Sequence, residues 1–197
     1  MARLHDRLTR RRAAGAKQLR SAGDPSAGPE LLAALRREMQ DPRTWETAYQ
    51  MIMAIGACQY RPAVGDLQQI AKSSTVAAVR IAVGDAVMRL DRDYDSDPKP
   101  MRWCLDSQDD DLVNGALQAT ATLRLPLSPE TIDAVVGFLA SHGPYDGIRF
   151  WAAVAAVDWT GKRVQRFLQD CVRLPREDVA EAAAASLRGE YRSYPIP

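Results

Sequence analysis

The sequence predicts an all-α protein: a short α-solenoid of stacked helical hairpins closed by an N-terminal helical cap. Three observations carry this reading. Apolar and small residues recur with the 3.6-residue period of a helix, the same pattern returns about every 33 residues, and no segment sustains the two-residue alternation of a strand. Composition agrees. Apolar residues make up 46% of the chain but aromatic residues only 7%, so alanine and the aliphatics must do the packing, which suits closely approaching helices better than a β-sandwich.

Residues 1–24 form a basic opening, read as a helix or arm from Ala2 to Arg20, with Arg3, Arg7, Arg10, Arg11, Arg12, Lys17 and Arg20 against a single Asp6. A Gly/Ser/Pro break from Ser21 to Gly28 follows, then a helix from Pro29 to Gln40. Its Leu31, Leu32 and Leu35 suit the terminal element that must cover the open apolar end of an array. The repeat domain is expected over 25–197, with first helices starting near 44, 76, 111, 146 and 177.

The clearest copy of the repeat is IRFWAAVAAVDW, from Ile148. Small or apolar residues fall at its positions one, five, six, eight and nine, which winds one face of a helix. The frame recurs as VRIAVGDAVMRL from Val79 and VAEAAAASLRGE from Val179, and more loosely from Thr47 and Leu112. These starts differ by 32, 33, 36 and 31 residues. Second helices are expected at Pro62 to Lys72, Pro98 to Leu105, Pro129 to Ala140 and Gly161 to Cys171. Pro42, Pro62 and Pro129 stand where a first helical turn tolerates proline, Ser128 is placed to cap the helix after it, and Gly143-Pro144 and Thr160-Gly161 read as turns.

The VRIAVGDAVMRL and IRFWAAVAAVDW stretches resemble first helices of HEAT repeats, with Arg80 and Arg149 at the second motif position, where that family often has a basic residue. The resemblance covers about 42 to 190 and implies the fold. It implies less about function, because HEAT-like arrays serve as scaffolds, adaptors, immunity proteins, phycobilin lyases and alkylpurine DNA glycosylases. The copies also depart from the pattern: the one at Thr47 lacks the arginine, and the one at Leu112 carries Gly115 inside the helix.

Chemistry finds little to build on. His5 and His142 have no ligand spacing to each other or to cysteine, and no GxSxG, P-loop or GxGxxG pattern is present. No catalytic residue, metal ligand or cofactor is expected; scattered carboxylates on a concave face are an enzymatic alternative. Asp91, Asp93, Asp95 and Asp97 alternate like the start of a calcium loop, but Ser96 replaces the required glycine and Arg102 the bidentate glutamate, so a solvated acidic loop is expected. Cys58, Cys104 and Cys171 are odd in number and unpaired in spacing, and read as free buried thiols of a cytoplasmic protein.

The expected function is therefore non-catalytic protein binding in a pre-shaped groove lined by second helices, with Asp66, Gln69, Arg102, Trp103, Asp106, Arg163 and Arg166 at the interface. The resemblance implies a narrower role as an immunity protein that neutralises a cognate toxin, and the acidic stretch around Asp91 to Asp111 suits a basic toxin domain. Nucleic-acid binding or DNA repair of the glycosylase type is the alternative, and a tetrapyrrole lyase is a third reading that rests on the fold alone. The net charge of +1 and the Asp66, Asp106, Glu130 and Asp133 interleaved with Arg163 and Arg166 weigh against it. No membrane partner is expected. Phe150 and Trp151 lie off the main apolar face and are assigned to packing against neighbouring repeats or the Tyr191–Tyr194 tail.

Overall fold

The computed structural model describes residues 2–196, and among these every regular element is a helix. The chain divides into two compact units, one up to Asp91 and one from Arg92 on. None of the described helices is long and apolar enough to cross a membrane.

The first unit holds α1 (Thr9–Ala22), α2 (Gly28–Glu38), α3 (Trp45–Ala57), α4 (Val64–Ser73) and α5 (Ala77–Leu90). Helices α1, α3 and α5 lie side by side, while α2 packs on α3 and α4 on α5. Thr47 at the start of α3 donates to the Thr9 carbonyl at the start of α1, and the Cys58 thiol at its end reaches the Leu19 carbonyl near the end of α1. Start meets start and end meets end, so the two helices run parallel. Small residues permit the approach: a Cβ on Gly56 of α3 would lie 3.2 Å from the Ala86 Cα of α5.

The second unit holds α6 (Lys99–Asp106), α7 (Asp110–Leu123), α8 (Pro129–Leu139), α9 (Arg149–Ala155), α10 (Lys162–Val172) and α11 (Glu177–Leu187). It has the same two-layer plan, with α7, α9 and α11 in one row and α6, α8 and α10 in the other. The buried Ser186 hydroxyl of α11 donates to the Ala153 carbonyl of α9 at 2.6 Å. Helix α9 is short and ends in a 3₁₀ turn, Ala156–Asp158.

The helices start at Trp45, Ala77, Asp110, Arg149 and Glu177, against the expected 44, 76, 111, 146 and 177, so α9 begins three residues late. Side-chain caps fix the starts of α7 and α8. The Ser128 hydroxyl accepts from the Thr131 N–H, and Asp109 accepts from the N–H groups of Asp111 and Leu112. Pro42 opens, and Pro62 is the second residue of, the 3₁₀ turns that lead into α3 and α4. Gly23 closes α1 in the left-handed conformation, φ 61°, which a side chain would disfavour.

Two expectations are corrected. Trp151 is buried, 8% exposed, although its motif position was read as off the apolar face. Helices in the middle of a row are flanked on both sides and covered by a hairpin partner, so most of their circumference is buried: Thr47 to Gly56 of α3 are buried without a break. The assignment of Trp151 and Phe150 to tail packing agrees with the structure, since Tyr194 meets both rings edge-on. The second correction concerns the acidic loop. Asp97 is buried and accepts from the N–H groups of Asp93 and Lys99, so part of this stretch caps its own backbone instead of facing water.

One device recurs where the sequence hinted only twice. Arg80 and Arg149 each donate to a carbonyl six residues back, Ser74 at 3.4 Å and Gly143 at 2.8 Å. Arg12 does the same to Asp6 at 2.9 Å and also pairs with the buried Glu38 of α2. Read in the motif frame from Arg11, α1 has Arg12 second and the buried Gly15 and Ala16 fifth and sixth. Helix α1 is thus a member of the first unit's row, held to α2 by a largely desolvated ion pair.

Candidate binding groove

The second unit carries a groove between α8 and α10 of about 360 Å³. Its position follows from the amphipathicity of α10. Val164, Phe167, Leu168 and Cys171 recur at helical spacing and are buried, which turns Lys162, Arg163 and Arg166 outward. Val136 and Leu139 of α8 with Phe167 and Cys171 of α10 make an apolar floor, and Arg149, Arg163 and Arg166 stand around it with Asp170 the one acid.

The three arginines are not equivalent. Arg149 is committed to structure, donating to the carbonyls of Leu139 at 3.0 Å, His142 at 2.6 Å and Gly143 at 2.8 Å, which closes the C-terminal end of α8. Arg163 lies 3.5 Å from Asp133, with both side chains more than half exposed, so that pair is weak. Arg166 makes no hydrogen bond or ion pair with any described residue and is exposed. Burial pushes the Cys171 thiol up to about 12, so it serves as neutral apolar lining and not as a nucleophile. Chemically, the groove presents positive charge beside a greasy floor. It can take a carboxylate carried next to an apolar group.

The interface residues expected from sequence separate accordingly. Arg163 and Arg166 line the groove. Arg102, Trp103 and Asp106 lie on α6, which packs on α8 in the same row; Arg102 and Asp106 are exposed and Trp103 is half-buried, but none lines the cavity. Asp66 and Gln69 belong to α4 in the first unit. Asp66 is held by a two-pronged contact from Arg36, at 2.8 and 2.9 Å, which also lowers its carboxyl below the usual range. Gln69 is exposed. Arg149 and Phe167 also line the groove and are absent from the interface expected from sequence, since a motif position marks a helix face and not the cavity that a neighbouring helix completes.

A second cavity, about 290 Å³ in the first unit, is lined by His5, Asp6, Arg12, Arg37, Glu38 and Asp41 among others. Its ionic groups satisfy one another. Arg12 lies on Glu38, and His5 sits between Glu30 at 2.7 Å and Arg37 at 3.0 Å. It reads as the joint that fastens the N-terminal turn.

No protein-family model, curated protein or solved structure matches this chain.

Proposed function

We propose that this chain is a non-catalytic protein-binding module of the HEAT-like α-solenoid type, and that its α8–α10 groove receives an acidic segment with flanking apolar side chains from a partner protein. The observation that carries the reading is the free guanidinium of Arg166, next to the weakly held Arg163, at the rim of an apolar floor. The parallel rows of helices in each unit support the architecture, since a stacked-hairpin surface is shaped before its partner arrives and loses little entropy on binding. An immunity protein against a toxin is the narrower proposal. Its partner's docking segment is then acidic, because the charge at the groove is carried by Arg163 and Arg166.

Fluorescence anisotropy with labelled Glu/Leu, Ser/Leu and Lys/Leu peptides tests this. The Glu/Leu peptide should bind tightest, and the double substitution R163E/R166E should weaken it at least tenfold, about 1.4 kcal/mol. Equal affinity for all three peptides, or indifference to the charge reversal, would remove the groove from consideration. Preferential binding of single-stranded DNA with a steep salt dependence would instead favour the nucleic-acid alternative.

A further inference from the structure

The two histidines differ in a way that points to a ligand. At His5, Nδ1 accepts from the Arg37 guanidinium and Nε2 donates to Glu30, so one neutral tautomer satisfies both contacts. His142 has oxygen on both sides. Its Nδ1 lies 3.1 Å from the Phe138 carbonyl, which can only accept, and 3.4 Å from the Ser141 hydroxyl, which donates to that same carbonyl; with the Ser141 hydrogen so placed, Nδ1 carries the hydrogen. In the neutral ring this leaves Nε2 as a bare lone pair, and Nε2 lies 2.9 Å from the Asp110 carboxylate, another acceptor. Such a contact needs a proton or a metal ion between the two atoms. A histidine that ligates a metal has this arrangement, with the distal N–H held by a backbone carbonyl and the opposite nitrogen aimed at carboxylates.

A third donor is in place. Nε2 of His142 and one carboxylate oxygen each of Asp110 and Asp146 lie within 4.8 Å of one another. A zinc ion bound at about 2.1 Å would hold its ligand atoms roughly 3.4 Å apart; the pair His142 and Asp110 stands closer, at 2.9 Å, and the 57% exposed Asp110 side chain has room to open around an ion. The support is rigid. Phe138 stacks near the imidazole with centroids 4.9 Å apart, and Arg149 ties the carbonyls of Leu139, His142 and Gly143 together. Asn114, one turn beyond Asp110 on the same face of α7, carries a buried side-chain oxygen with no hydrogen-bond partner. Arg176 acts on Asp146 through space but is paired to Asp178.

We propose that Asp110, His142 and Asp146 form a binding site for a divalent transition-metal ion, zinc being the fitting probe for one imidazole and two carboxylates. Isothermal titration of the full chain with zinc, after chelator treatment, tests it. The expected result is one zinc per chain, weakened on the order of tenfold or more by D110N and by D146N and unchanged by H5A. Both substitutions preserve side-chain shape. In D146N the amide oxygen can still accept from the Ile148 N–H that Asp146 now holds, so unchanged far-ultraviolet circular dichroism should accompany the loss. Absence of stoichiometric zinc uptake by the unsubstituted chain would reduce the contact to an ion pair and overturn the site. So would uptake that D110N and D146N leave intact.

Discussion

Replacing Asp85 by alanine should lower the free energy of unfolding by about 3–5 kcal/mol. Asp85 is fully buried in α5, and its carboxylate pairs with Arg89 one turn on, whose side chain is only 13% exposed. Truncating the acid leaves a guanidinium with its charge uncompensated against the α3–α5 contact, where Arg89 Cδ already lies 3.1 Å from a Cβ built on Gly56. At this chain length each kcal/mol is about 2–4 °C of melting temperature, so the loss reads as roughly 10 °C. The double substitution D85L/R89M removes both charges and should recover most of the loss, because desolvating the pair costs nearly what its attraction returns. Urea unfolding of both variants checks this, and a loss under about 1 kcal/mol for D85A would show that the pair is not a stabilising centre.

Substituting Gly56 by leucine should cost about 3 kcal/mol, whereas alanine at the same site should be nearly neutral. A Cβ there meets Arg89 Cδ at 3.1 Å, Ala86 Cα at 3.2 Å and Ala86 Cβ at 3.3 Å, a squeeze of a few tenths of an ångström. For alanine, the helix-propensity gain of about 1 kcal/mol over glycine offsets that squeeze. Leucine adds three carbons with nowhere to go, and α3 and α5 must separate. The comparison isolates interhelical distance from helix propensity. A G56L variant as stable as the unsubstituted chain would refute close approach as the basis of the row.

What the sequence revealed and what it hid follow one physical division. Local physics was legible: Ser128 as a cap, prolines in first turns, and free buried cysteines all depend on near neighbours or on composition. Contacts across the rows were not. Arg36–Asp66, Asp110–His142, Ala153–Ser186 and Arg124–Asp158 join residues 30, 32, 33 and 34 positions apart, about one repeat length. Helices that pack side by side in a row here bring residues about 30 positions apart together, so a search at that interval, and not at the short spacings of metal motifs, would have paired His142 with Asp110. Asp85 was hidden for another reason. Its neighbours in the motif advertise an apolar face, and nothing local shows that a charge on the far side of α5 is buried as well. Helix α1 was set apart because Arg11 stands where the other strong copies have an aliphatic residue, although Gly15 and Ala16 keep the small positions.

The buried thiols give the molecule its own stopwatch. Alkylating reagents attack thiolate, and burial raises the pKa of Cys58, Cys104 and Cys171 alike, so the closed chain is nearly inert to them. Each alkylation event therefore records a moment when the surrounding helices have parted. Because Cys58 lies in the first unit and Cys104 and Cys171 in the second, the mass of labelled peptides separates the breathing of one half from that of the other.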